Sequence, residues 1–150
     1  MSTELQSAFE AAVPAALQIA YDYVDHHEAV ETIWIVAYRD GDWASAFPVY
    51  KVSGQVVITY YVTTVVPSLD NSIPNQQTLL EISVLLVPPL MIDTVNGPTR
   101  IVVRYDVAAQ TMNADFYYEP LRMGPEDTLT ELYDAWVKRL QETGNDSAAD

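Results

Sequence analysis

The sequence predicts an α+β protein, because segments with a strand pattern lie between segments with a helical pattern. Residues 99–120 alternate apolar and polar side chains on both sides of a short polar break, which predicts a β-hairpin. Residues 32–63 are rich in β-branched and aromatic side chains around two turn signals, which predicts a meander. We therefore expect one domain over residues 1–143, ordered α-β-β-β-α-β-β-α. It holds an antiparallel sheet of about five strands with helices packed on one face.

The first helix is predicted by apolar residues that recur at helical intervals. These residues are Leu5, Phe9, Ala12, Val13, Ala16, Leu17 and Ala20. Thr3 and Gln6 have the spacing of a capping box, and Pro14 predicts either a kink or the start of a second helix. We expect the helix to end near Val24, and an acidic connector then leads into the sheet.

Three strands are expected over residues 32–39, 42–51 and 55–63. The turns between them are predicted at Asp40-Gly41-Asp42 and at Ser53-Gly54, whose residues tolerate a positive φ. Pro48 has no amide hydrogen for a ladder, which predicts that the second strand is an edge or carries a bulge at this residue.

The apolar segment 79–92 has two interpretations. A helix over residues 76–90 is favoured by the helical spacing of Leu79, Ile82, Leu85, Leu86 and Leu90. Pro88-Pro89 together with Asn96-Gly97-Pro98 would distort this helix and then end it. A fully buried strand remains open, because periodicity alone does not settle a short apolar run.

The hairpin strands each have a predicted core face and a predicted solvent face. The core faces hold Ile101, Val103, Tyr105, Met112, Ala114, Phe116 and Tyr118. With a loop at 108–111, Arg104 would lie opposite Asp115 and Arg100 opposite Glu119. After the hairpin, a last helix is expected to open at residues 124–127 and to close at Gly144, and residues 144–150 are expected to form a disordered acidic tail.

The composition excludes several classes of partner and site. The chain has no cysteine, and its 7 basic against 21 acidic residues give a charge of −14. This charge repels nucleic acid and anionic lipid at long range and attracts a basic partner. We expect no secretion signal, because the N-terminus has no basic region followed by an apolar run. We expect no membrane span, because the longest apolar stretch is interrupted and shorter than about 20 residues. A cytoplasmic location is therefore expected.

No catalytic motif is present, so we expect no enzyme, no cofactor and no metal site. His26 and His27 are adjacent, and adjacent side chains rarely bind one ion together, so a solvated pair is expected. Asp40-Gly41-Asp42 resembles part of a calcium loop but lacks the later ligands.

The helix with Pro14 inside it, the segment 34–47 and the hairpin 104–119 together resemble the YezG-like immunity proteins of polymorphic and LXG-type bacterial toxins. The resemblance implies a cytoplasmic antitoxin that binds a basic toxin domain and occludes its active site without catalysis. We expect the contact surface around six acidic and aromatic residues: Asp40, Asp42, Trp43, Asp106, Asp115 and Tyr117. The element order is also similar to type III secretion chaperones, which implies an acidic homodimer that binds client segments through exposed apolar surface.

Overall fold

The computed structural model describes residues 3–67, 69, 74–121 and 127–146, and these residues form an antiparallel sheet between helices. The elements are α1 (Thr3–Tyr23), β1 (Val30–Asp40), β2 (Trp43–Val52), β3 (Gln55–Ile58), a 3-10 turn (Thr59–Tyr61), α2 (Val62–Val65), α3 (Asn75–Leu90), β4 (Arg100–Asp106), β5 (Thr111–Tyr117) and α4 (Leu129–Thr143). The predicted α+β class and the order of the main elements are confirmed.

The five strands lie in the order β3-β2-β1-β4-β5, and each pair of neighbours is antiparallel. In β1, Ile33, Ile35 and Ala37 pack with α1 and α3 in one core cluster. Trp34, Val36 and Tyr38 point to the other face and pack with α4 in a second cluster. The central strand is therefore apolar on both faces.

The prediction that helices pack on one face holds for α1 and α3, but α4 covers part of the opposite face. This face was expected to be solvated. It is covered because α4 has its own apolar stripe, with Tyr133, Trp136 and Leu140, and this stripe packs against Trp34 and Val102 of the sheet. The rings of Trp34 and Trp136 meet edge to face with their centroids 6.5 Å apart.

The apolar segment 79–92 forms helix rather than strand over most of its length, because α3 runs to Leu90. Its buried residues are Thr78, Ile82, Leu86, Pro89 and Leu90, which follow helical spacing. Pro88 and Pro89 lie in the last turn, where each lacks the amide hydrogen that would bond back four residues, and the helix ends one residue after them at Leu90. Helix α1, by contrast, is a single helix that continues through Pro14, and no second helix begins there.

The third strand is shorter than predicted. It ends at Ile58, and the chain then turns through the 3-10 turn and α2, which buries Thr59 and Val62. The last β2–β3 pair is Val49 with Ile58, so Pro48 lies just beyond the end of β3. At Pro48, β2 is therefore an edge strand, as the missing amide hydrogen of proline predicted.

The β4–β5 hairpin has a register that differs by two residues from the predicted one. Arg104 lies opposite Asn113 rather than Asp115, and Arg100 lies opposite Tyr117 rather than Glu119. The loop is 107–110, with Gln110 at a φ of 55°. Because the offset is two residues, each side chain keeps its predicted face.

Two predicted core residues of the hairpin are exposed. Met112 is the second residue of β5, which is an edge strand, and Tyr118 lies just beyond its end; their side chains are 44% and 40% exposed. Ala114, at the middle of β5, and Phe116 pack against the core as predicted.

Helix α4 begins later than predicted, because Thr128 is its N-cap and accepts a hydrogen bond from the Glu131 amide at 3.2 Å. Residues 124–126, where the start was expected, lie outside the described residues. Gly144 ends the helix with a φ of 69°. The tail beyond it was expected to be disordered, but Asp146 accepts hydrogen bonds from Trp34 Nε1 (3.0 Å) and Arg104 Nη1 (2.9 Å). Residues 147–150 lie outside the described residues.

Candidate protein-binding surface

The turn between β1 and β2 presents a tryptophan to solvent. Asp40 pairs with Trp43, so Gly41 and Asp42 form a two-residue turn, and Gly41 takes a φ of 59° that glycine adopts without strain. The Trp43 side chain is 76% exposed. We name these four residues, Asp40 to Trp43, the hairpin tip. Tryptophan is one of the residues most often found at the dominant contacts of protein interfaces.

The hairpin tip is supported from below by Arg39, which is only 5% exposed. Its guanidinium donates to the carbonyl oxygens of Thr94 (2.8 Å), Gly97 (3.0 Å) and Pro98 (3.1 Å). It also donates to the Gly41 carbonyl at 3.4 Å. One buried cation therefore joins the turn to the loop between α3 and β4, which fixes the position of the hairpin tip.

The register places five of the six predicted contact residues on the sheet face that α4 partly covers. Asp40 and Trp43 are paired at one end of the sheet, and Tyr117 lies near that end in β5. Asp115 is opposite Val102, further along the same face. The sixth residue, Asp42, lies in the turn itself.

Asp106 does not join the hairpin tip. It pairs with Thr32, which is eight residues before Asp40 in β1. At about 3.3 Å per residue, this separation is about 26 Å along the strand. The six predicted residues therefore do not form one patch. Three lie in the hairpin tip, Tyr117 and Asp115 lie on β5, and Asp106 lies at the opposite end of the sheet.

A cleft of about 660 Å³ opens between α4 and the sheet on the same face as Trp43. Its lining includes Tyr38, Arg100, Tyr117, Glu131 and Arg139. The Arg100 guanidinium lies 4.1 Å from the centroid of the Tyr117 ring, within cation–π range. Sequence reasoning missed this cleft because its walls come from distant segments, and no local pattern joins them.

The two histidines make local contacts. His26 Nε2 lies 2.6 Å from Asp22 Oδ1, and this hydrogen bond lowers the pKa of Asp22. His27 Nδ1 accepts from the amide of Ala29 at 3.0 Å. Across the described ranges, no group of three or more histidines and carboxylates is placed to hold a metal ion.

No protein-family model matches this chain, and no curated protein matches it either. In the part of the chain that the structure describes, no helix combines the length and the apolar character needed to cross a membrane.

Proposed function

We propose that this protein is a cytoplasmic immunity protein that binds a cognate bacterial toxin domain and occludes its active site. The observation that carries the proposal is the exposed Trp43, held on the hairpin tip by the buried Arg39 and flanked by Asp40 and Asp42. The resemblance to YezG-like immunity proteins supports the same function.

The support from Arg39 favours binding energetically. Interface residues that dominate affinity are most often tryptophan, tyrosine and arginine in central positions. A side chain whose backbone is already fixed loses little conformational freedom when it binds, so more of its contact energy appears as affinity. Trp43 is a residue of this type, its backbone is paired with Asp40, and Arg39 bonds to Gly41 in the same turn.

The charge of the chain supports a basic partner. A net charge of −14 accelerates encounter with a positively charged surface, such as the nucleic-acid site of a nuclease toxin. Inhibition by occlusion needs no catalytic group on this chain, and one bound copy blocks one toxin domain.

Substitution of Trp43 tests the proposal. Once the toxin partner is identified and purified, Trp43→Ala should weaken its binding by at least about 30-fold. This corresponds to about 2 kcal/mol, the loss expected at a dominant contact. Tyr60→Ala is the matched control, because Tyr60 is an aromatic residue that is 68% exposed and lies outside the hairpin tip. Both variants should fold, since exposed substitutions change stability by about 0.5 kcal/mol or less.

Calorimetry gives the dissociation constant of each variant, and a growth assay gives protection against the toxin. Equal affinity and equal protection for Trp43→Ala and the unchanged protein would contradict the proposed contact.

A further inference from the structure

Helix α3 is apolar on two opposite sides. Ile82 is fully buried against the sheet, yet Leu80 and Val84 are 65% and 63% exposed. Leu80 and Val84 lie two residues before and after Ile82, which at about 100° per residue puts each about 160° around the helix from it. The exposed pair therefore faces directly away from the core, and we name Leu80, Glu81 and Val84 the outer face of α3.

This arrangement is unusual for a surface helix. A helix that covers a core normally carries polar residues on its opposite side, and a helix that is apolar all round is normally buried all round. Leu80 and Val84 are four residues apart, so their side chains are neighbours on one ridge. Such a pair matches the spacing by which one helix packs against another.

The helices on this side of the sheet carry charge of one sign. Residues 1–38 and 52–99, which supply α1 and α3, contain no lysine and no arginine. The exposed carboxylates there include Glu4, Glu10 and Glu81. Among the residues that the structure describes, the one lysine or arginine that reaches toward this layer is Arg39, which is buried among backbone carbonyls.

The opposite side of the sheet differs, because basic residues lie on its strands and on α4. These residues are Lys51, Arg100, Arg104, Lys138 and Arg139. Within the described part of the chain, the α1–α3 layer is therefore the side of the sheet that exposes carboxylates and no lysine or arginine. A positively charged ligand would be drawn to it.

We propose that the outer face of α3 is a docking surface for a cationic amphipathic helix of another protein. Apolar residues of that helix cover Leu80 and Val84, and lysine or arginine residues at its margins face Glu81 and the carboxylates of α1. A second copy of this chain fits poorly, because it would bring two layers without lysine or arginine together. This surface lies on the other side of the sheet from Trp43 and does not depend on the proposed function.

The test uses the full-length protein labelled with nitrogen-15 and a synthetic 18-residue helical peptide of leucine and lysine. A peptide with glutamate in place of lysine is the control ligand. We expect the cationic peptide to shift amide resonances of α3 and α1, and the acidic peptide to shift none.

The variant Leu80→Ser with Val84→Ser should weaken binding of the cationic peptide at least tenfold, and Glu81→Lys should weaken it severalfold. Tyr60→Ser, an exposed substitution elsewhere, is the control. Thermal unfolding of each variant confirms that it is folded.

Three results would overturn the proposal. The first is equal binding by the Leu80→Ser and Val84→Ser variant, which would mean attraction by charge alone. The second is a set of shifted resonances on the α4 side of the sheet. The third is a homodimer in light scattering that the double substitution dissociates, which would make a second copy the occupant.

Discussion

The hydroxyl of Tyr133 donates a 2.7 Å hydrogen bond to the carbonyl of Pro48, which lies 85 residues earlier in the chain. The carbonyl is available because β3 ends before it reaches Pro48. The Tyr133 ring also stacks on Phe47, with centroids 4.4 Å apart. Burial raises the pKa of the Tyr133 hydroxyl well above its usual range, so this group stays a protonated donor. These contacts hold α4 on the sheet.

The substitution Tyr133→Phe should lower the free energy of unfolding by about 1–2 kcal/mol, because it leaves the buried Pro48 carbonyl without this donor. Urea unfolding followed by far-UV circular dichroism measures the change. Tyr60→Phe, which removes a hydroxyl from an exposed ring, is the control and should leave the free energy of unfolding unchanged. Equal midpoints for the two variants would mean that the bond does not contribute.

The substitution Arg39→Lys should lower the free energy of unfolding by about 2–4 kcal/mol. A lysine ammonium keeps the charge but cannot reach all the carbonyls that the planar guanidinium contacts, and each lost bond to a charged group costs about 1.5–3 kcal/mol. Amide hydrogen exchange at the hairpin tip should also accelerate.

Arg104→Lys serves as the control for Arg39→Lys, because Arg104 is half exposed and its hydrogen bond to Asp146 is at the surface. A loss of stability no greater than in this control would show that the Arg39 hydrogen bonds do not fix the hairpin tip.

Asp93 makes the stability of the loop between α3 and β4 dependent on pH. The amide of Asn96 donates to its carboxylate at 2.8 Å and that of Val95 at 3.2 Å, and these bonds lower the pKa of Asp93. A carboxyl group whose pKa is lower in the folded protein than in the unfolded chain stabilises the folded state when the pH is above its unfolded pKa. This stabilisation is lost as the pH falls through the folded pKa. Asp93→Ala should therefore lower the urea midpoint at pH 7.

The difference between Asp93→Ala and the unchanged protein should shrink as the pH falls below about 4, near the pKa of an unperturbed aspartate. Glu10→Ala is the control. This exposed carboxylate accepts a hydrogen bond from the side chain of Gln6, whereas Asp93 accepts its bonds from backbone amides. A difference that stays constant between pH 7 and pH 3 would contradict the assignment.

Charge reversal at the hairpin tip should slow association with a basic partner. Asp40→Lys with Asp42→Lys should reduce the association rate by about tenfold at low salt and by less at high salt, because salt screens attraction between surface charges. Stopped-flow mixing measures both rates. The control is the double variant Asp106→Lys with Glu31→Lys. It changes the net charge by the same amount, but at residues that lie far from the hairpin tip. Rates that are equal for the two double variants would remove Asp40 and Asp42 from the contact.

Local patterns predicted most of the fold. Helical spacing in α1 and turn signals at Gly41 and Gly54 were enough to place the first four elements of the chain. The position of α4 across the sheet had a signal that was not used: Trp34, Val36 and Tyr38 alternate with equally apolar residues in β1, which is typical of a strand covered on both faces. The sequence has no such signal for the register of the β4–β5 hairpin. Loops at 107–110 and at 108–111 put the same residues on each face of the sheet, so the apolar pattern does not distinguish them.

The candidate surface was predicted only where its residues are neighbours in sequence. Asp40, Asp42 and Trp43 are together because one turn holds them. Asp106 was grouped with them on composition, but the antiparallel pairing of β4 with β1 puts it at the other end of the sheet. Arg39 was missed as a support, because its carbonyl partners follow α3 and come near only when the chain folds.

The measurement that tests the immunity proposal most directly is capture of the partner from the native host at moderate salt. Mass spectrometry identifies the captured protein, light scattering gives the stoichiometry of the purified complex, and a growth assay compares cells that express the partner with and without this chain. We predict a single basic toxin domain, bound one to one, whose effect on growth is abolished by this protein. Several unrelated clients on a homodimer, or a partner whose toxicity is unchanged, would contradict the proposed function.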